Sequence, residues 1–150
     1  MSNTLLHTKL QHLELIMATS TVEYLGNLRT NCTHLASNTS FLTDAPIDNN
    51  GKGEAFSPTD ILATSYASCM MTIMGIYCEK NNIPFSKGNA TVSKIMDSNP
   101  RRIGRIEIEM NLKGNDWDQK TTQKVIAAGK ACPIAKTIGD NIEIVLSYIY

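Results

Sequence analysis

The sequence predicts an α+β fold, with antiparallel strands arranged around one central, buried helix. Three observations lead there. The run from Ile61 to Tyr77 is apolar on nearly every helical face and contains no proline, so it reads as a helix enclosed on all sides. Arg105 to Lys113 alternates strictly and sets Ile106, Ile108, Met110 and Leu112 on one face, the period of a half-buried strand. Between Thr21 and Thr43, β-branched, aromatic and polar residues surround the turn signals Gly26-Asn27 and Ser37-Asn38, which marks a meander of short strands. A chain of 150 residues with 42% hydrophobic content suffices for one compact domain with a real core.

In chain order, Leu6, Leu10 and Leu13 share one helical face ahead of Met17, a second candidate start, so residues 1–16 read as an extension before a domain spanning 17–150. After the meander, Ala45 to Phe56 is a loop by its Pro, Asn and Gly content. Ser57-Pro58 is an N-cap with proline at the first helical position, Asp60 falls in the first turn, and the helix is expected to reach Asn81 or Asn82. Leu62, Tyr66, Cys69, Ile73 and Tyr77 form its main stripe, widened by Ala63, Ala67, Met70, Met71, Met74 and Cys78. Ala90 to Met96 reads as a strand, turned at Asn99-Pro100-Arg101-Arg102 into the alternating run, which gives a hairpin. Asp116 or Asp118 caps a helix ending near Gly129, a short helix follows Cys132-Pro133, and Asn141 to Tyr150 closes the chain as a strand.

Charge narrows the function. Lys and Arg total 14 and Asp and Glu total 14, with no basic block, so the electrostatic footprint of a nucleic-acid binder is missing. No uninterrupted apolar run approaches the ~20 residues of a membrane span, and the N-terminus lacks a signal-peptide core because Lys9 and Glu14 break its leucines. The expectation is a cytoplasmic protein without nucleic-acid or membrane partners. In that compartment, four cysteines without close pairing are reduced or redox-active rather than structurally bridged.

Two of those cysteines stand in unlike settings. Cys69 lies within the apolar helix, the ordinary home of a buried thiol. Cys132 stands at a helix start, where unsatisfied backbone N–H groups and the helix dipole favour thiolate, so its pKa is expected to fall below the free value of about 8.5. Around them, Ser57-Pro-Thr-Asp-Ile-Leu-Ala-Thr-Ser-Tyr-Ala-Ser-Cys69 and Cys132-Pro-Ile-Ala-Lys-Thr-Ile-Gly-Asp-Asn-Ile142 together resemble the OsmC/Ohr superfamily over about Thr21 to Ile149. In that family an alanine-rich helix bears the reactive cysteine, and a Cys-Pro near the C-terminus bears its partner.

The resemblance implies an OsmC-like domain over residues 17–150, forming an intertwined homodimer with sites at the subunit interface. It also implies a cysteine-based peroxidase that reduces organic hydroperoxides without metal or prosthetic cofactor. Cys69 would be the attacking thiolate and Cys132 the resolving thiol, with a dithiol reductant, in one branch a lipoyl protein, closing the cycle. Arg29, at a separation from Cys69 close to that of the family's catalytic arginine, is the expected cation. The sequence departs from the peroxidase branches by placing Thr59 where they keep a glutamate, so Asp60 or Glu54 is left to hold Arg29; in this it resembles a less-characterised branch.

Other candidates are weaker. Cys32-Thr-His34 offers two ligands on one strand face without a completed metal set, Cys78 continues the buried helix, and Gly51-Lys-Gly53 lacks the spacing of a phosphate loop. The alternative to an enzyme is a dimeric protein of the same fold that binds a small apolar ligand or senses oxidation. A carboxylate on Arg29 distinguishes the two.

Overall fold

The computed structural model describes residues 18–150; the Leu6, Leu10, Leu13 face and Met17 lie outside them. The chain divides into two compact units, one ending at Phe56 and the other spanning Ser57–Tyr150.

The first unit is an antiparallel sheet of β1 (Ser20–Gly26), β2 (Arg29–His34) and β3 (Ser40–Asp44), in the order β1-β2-β3. Its first turn has Asn27 at φ 53° and Leu28 at φ 62°, the left-handed conformation that matches the twist of the flanking strands. The register aligns Val22, Cys32 and Phe41 in one row and Tyr24, Thr30 and Thr43 in the next, on the same face. On that face Val22, Tyr24 and Phe41 are 65%, 66% and 50% exposed among the described residues. The loop after β3 folds back on itself at Gly51, where a Cβ would lie 1.7 Å from the Ala45 carbonyl oxygen.

The second unit holds the core. Helix α1 (Pro58–Lys80) opens with a reciprocal capping box: Ser57 Oγ accepts from the Asp60 N–H at 3.1 Å, and Asp60 Oδ2 accepts from the Ser57 N–H at 2.8 Å. β4 (Asn89–Ser98) and β5 (Arg101–Asn111) form the expected antiparallel hairpin. They are followed by α2 (Gln119–Lys130), capped by Asp118, then α3 (Pro133–Ile138) and β6 (Glu143–Ile149). β6 joins the edge of β5 in parallel, a departure from the antiparallel expectation. The reason is the connection: α2 and α3 carry the chain back along the sheet, so the next strand runs in the direction of β5.

Ile103, Ile106, Ile108, Met110 and Leu112 of β5 and the turn after it form the floor of the core, against Ala63, Tyr66, Ala67, Met70, Met74 and Cys78 of α1. The buried face of α1 is thus turned from the predicted stripe: Leu62 is 41% exposed, while Met70 and Met74 are fully enclosed. Burial follows the side toward the sheet and α2, a choice that a helix apolar all round does not encode. The 23-residue α1 is long and apolar enough to cross a bilayer by length and composition, more than was expected of any segment, while its Ala63, Tyr66, Ala67, Met70, Met74 and Cys78 side is buried in the core.

One contact fixes the approach of α2 to α1. A Cβ on Gly129 would stand 2.5 Å from Met74 Cε, 2.9 Å from Met74 Cγ and 3.3 Å from the Met70 carbonyl oxygen. Only a residue without a side chain allows the helices this close. Gly129→Ala is expected to cost about 1–3 kcal/mol by overpacking, seen as a Tm several degrees lower by calorimetry, whereas Gly75→Ala, where no atom lies within 4 Å of the added Cβ, leaves Tm unchanged or raises it.

Candidate functional site

Cys69 lies partly buried on α1, and Cys132 is wholly buried as the N-cap of α3. Proline at the first position starts α3, and Cys132 Sγ accepts from the Ala135 N–H at 3.4 Å. The close packing at Gly129 leads directly to this placement, since the Cys132 N–H donates to the Gly129 carbonyl at 3.1 Å. Cys69 immediately precedes Met70, which Gly129 approaches. The two thiols are neighbours.

Their electrostatics correct one expectation. Burial pushes the Cys132 thiol up, hydrogen bonds from the Ala135 and Ile134 N–H groups pull it down, and hydrogen bonding and charge from Cys69 raise it further. The net shift is upward, because a sulfur enclosed by apolar side chains loses more hydration than these N–H groups return. Cys132 therefore keeps its proton at neutral pH.

In the first unit, Arg29 carries two carboxylates: its Nη2 lies 3.0 Å from Asp44 Oδ2 and 2.6 Å from Glu54 Oε2. Asp44, then Glu54, hold the guanidinium more firmly charged. The Glu54 N–H donates to Asp44 Oδ2 at 3.0 Å and, against the opposing effect of burial and with help from Arg29, keeps that carboxyl below the usual range. Glu54 was one of the two anticipated partners. Asp44 was missed, although it faces Arg29 directly in the β2–β3 register, a cross-strand pairing that counting back through the hairpin would have exposed.

Asp60, the other anticipated partner, is engaged differently. Its Oδ1 lies 2.6 Å from Lys94 Nζ, and its Oδ2 closes the capping box. Burial would raise this carboxyl, but Lys94 and the Ser57 N–H and hydroxyl together bring it below the usual value. Lys94 also donates to Thr59 Oγ1 at 2.9 Å. The threonine that stands where a glutamate was expected thus has a lysine partner. Lys94 shares the part-buried face of β4 with Ala90, Val92 and Met96, and a charged residue on that otherwise apolar face was the signal the sequence offered.

Two tyrosines were also missed. Tyr66, three residues before Cys69 on α1, is raised by burial and by the charge of Cys132. The Tyr148 phenol on β6 is pushed up to about 12 by burial, with Tyr66 adding to it; its hydroxyl is enclosed without a hydrogen-bond partner, while Lys130 Nζ sits 5.6 Å from its ring centroid. Cys32 Sγ contacts Thr30 Oγ1 at 3.8 Å, and His34 Nδ1 bonds Ser37 Oγ at 2.8 Å. Among the described residues no three His, Cys, Asp or Glu side chains gather to hold a metal ion.

The sequence profile of the OsmC-like protein family matches residues 51–147. Among solved structures, a protein of Psychrobacter arcticus 273-4, named for an osmotic stress induced and detoxification response, is 45% identical with a TM-score of 0.82; the match covers 88% of this chain and 96% of that one. The OsmC protein of Legionella pneumophila, named for organic hydroperoxide resistance, is 17% identical with a TM-score of 0.70, covering 89% of this chain and 98% of that one. OhrB of Bacillus subtilis, also named for organic hydroperoxide resistance, is 22% identical with a TM-score of 0.61, covering the same shares, 89% and 98%. The last two establish likeness of fold. A comparison with curated proteins finds no match.

The lowered carboxyls make a pH prediction. Asp44 and Asp60 have folded-state values below the ordinary 3.8, so the stability they contribute is fully present above that value and is lost as pH falls through the folded ones. Asp44→Asn is expected to lower the urea midpoint at pH 7 and to flatten its fall below about pH 4. An unchanged acid limb would mean that the Asp44 carboxyl is not held by Arg29 and Glu54.

Proposed function

The chain belongs to the OsmC-like protein family, and from that premise we propose that it is a thiol-dependent peroxidase acting on organic hydroperoxides through Cys69 and Cys132. The observation that carries this reading is the pairing of two neighbouring thiols of unequal access, one partly exposed and one wholly enclosed. The hydroperoxide resistance for which the Legionella and Bacillus structures are named, and the detoxification response of the Psychrobacter one, agree with it.

In the proposed cycle the Cys69 thiolate attacks the terminal peroxide oxygen. The S–O bond forms, the O–O bond breaks, and the alkoxide leaves and takes a proton to become an alcohol. Cys132 then attacks the sulfenic sulfur, the S–S bond forms, and hydroxide departs with the Cys132 proton as water. Enclosure of Cys132 suits this order, because a peroxide reaches the partly exposed Cys69 first, and the proton Cys132 gives up in the second step leaves with the hydroxide as water. An external dithiol, for which a lipoyl protein is the expected source, returns both sulfurs to thiols, in keeping with a reducing cytoplasmic setting.

Arg29 is retained as the proposed cation. Asp44 and Glu54 fix its guanidinium, whereas a single flexible cation would have to be ordered during reaction. The Glu54 contact also supports the enzyme over the alternative of a non-enzymatic binding or sensing protein, which would have gained had neither Asp60 nor Glu54 reached the guanidinium. Asp60 is assigned instead to the helix start and Lys94.

We further propose a homodimer. In the first unit the exposed Val22, Tyr24 and Phe41, and in the second the exposed Leu62 and Ile76 of α1, are each apolar surface that a second copy would bury. Light scattering at low micromolar concentration is expected to give twice the chain mass, and a stable monomer would remove this assignment.

The central test is peroxide consumption with cumene hydroperoxide. Cys69→Ser is expected to abolish it, while Cys132→Ser allows one turnover and leaves a sulfenic acid on Cys69 that a trapping reagent labels. Arg29→Gln in the same assay is expected to slow the first step by about 10²-fold or more. Wild-type turnover in either cysteine variant would end the two-cysteine reading.

A further inference from the structure

Cys132 is 0% exposed, enclosed at the junction of α2 and α3 in the same core cluster as Tyr66, Met70 and Met74. Cys69 is partly exposed. Once joined in a disulfide, the two sulfurs offer a reductant very different access, because thiol–disulfide exchange requires approach to the attacked sulfur in line with the bond being broken.

Leaving-group chemistry points the other way. A thiol of lower pKa departs faster, and the Cys132 thiol is raised by its burial, which makes it a slower leaving group. Access decides between them. Reaching Cys132 requires opening the α2–α3 junction away from α1, against the packing at Gly129, so each attack would carry the cost of that opening. The departing Cys132 sulfur, by contrast, finds the Ala135 N–H already at 3.4 Å. A second copy placed against α1 would alter access to Cys69 but would not uncover Cys132, which one chain already encloses.

We propose that the reducing dithiol attacks Cys69, so that the sulfur which meets the peroxide also meets the reductant while Cys132 stays inside throughout; the inference rests on the two-cysteine peroxidase reading above. The reductant's thiolate forms a bond to Cys69 Sγ as the Cys69–Cys132 bond breaks. Cys132 leaves with the electron pair and takes up a proton. The reductant's second thiolate then attacks its own sulfur in the mixed disulfide, closing its disulfide and releasing Cys69 as the thiolate. Two electrons pass from the dithiol to the protein, and both cysteines return to the reduced state.

Two measurements test this without peroxide. In a Cys32→Ser background, native Cys132→Ser and Cys69→Ser proteins are treated with Ellman's reagent, and the labelled cysteine is assigned by peptide mass spectrometry. Cys69 is expected to react on the order of 100-fold faster than Cys132, which reacts at a comparable rate only after denaturation. Equal or faster native labelling of Cys132 would overturn the proposal. In the second measurement, the otherwise native chain, oxidised with diamide, is exposed briefly to N-acetylcysteine and quenched in acid. The mixed disulfide is expected on Cys69 with Cys132 free, and an adduct on Cys132 overturns the proposal even if a variant misfolds. If diamide fails to join the two cysteines, the proposal falls with their pairing. If the chemistry is as described but no hydroperoxide is consumed, the peroxidase reading alone fails.

Discussion

The close seating of α2 on α1 is the contact on which the second unit depends. It exists because Gly129 has no Cβ, which lets its backbone meet Met74 and the Met70 carbonyl. Three residues later Cys132 caps α3, and one residue before Met70 stands Cys69. A helix–helix distance set by one missing methyl group therefore also sets the neighbourhood of the two thiols. Shape complementarity in a close-packed interior has this consequence: a side chain too many at one position is felt at the next turn.

The same enclosure reverses the electrostatic expectation for Cys132. An N-cap position supplies N–H groups that favour a thiolate, and those hydrogen bonds are present. Burial outweighs them. The helix start thus orients the sulfur without ionising it, and Cys69 and Cys132 differ in access as much as in position. In the first unit the balance runs toward charge: Arg29 draws two carboxylates, and Asp44 in turn is held by the Glu54 backbone N–H. A guanidinium gripped from two directions has little orientational freedom left to lose.

The first sheet makes a different point about cores. Its strands alternate and pair in register, yet Val22, Tyr24 and Phe41 remain exposed among the described residues. β-Propensity and turn chemistry are enough to form such a sheet, whereas its apolar face requires a partner surface, and the proposed second copy answers that requirement.

Local chemistry made much of the fold legible from the sequence alone. Ser57-Pro58 with Asp60 specified the helix start, strict alternation specified β5, and Cys132-Pro133 specified the start of α3, while the start of α2 was narrowed to Asp116 or Asp118, of which Asp118 is the cap. Each rests on contacts within a few residues, which is why each could be read. The two cysteine motifs were legible in the same way. What required the tertiary structure was every choice among equivalent local options. An all-apolar helix does not say which face is buried, and the packing put Met70 and Met74 inward and left Leu62 outside. Three acidic residues lay within reach of a role beside Arg29 or at the helix start, and only pairing across strands and loops assigned Asp44 and Glu54 to the arginine and Asp60 to Lys94. The direction of β6 and the protonation of Cys132 were decided likewise, by the path of the chain and by burial, because both depend on distant residues brought together rather than on neighbours in sequence.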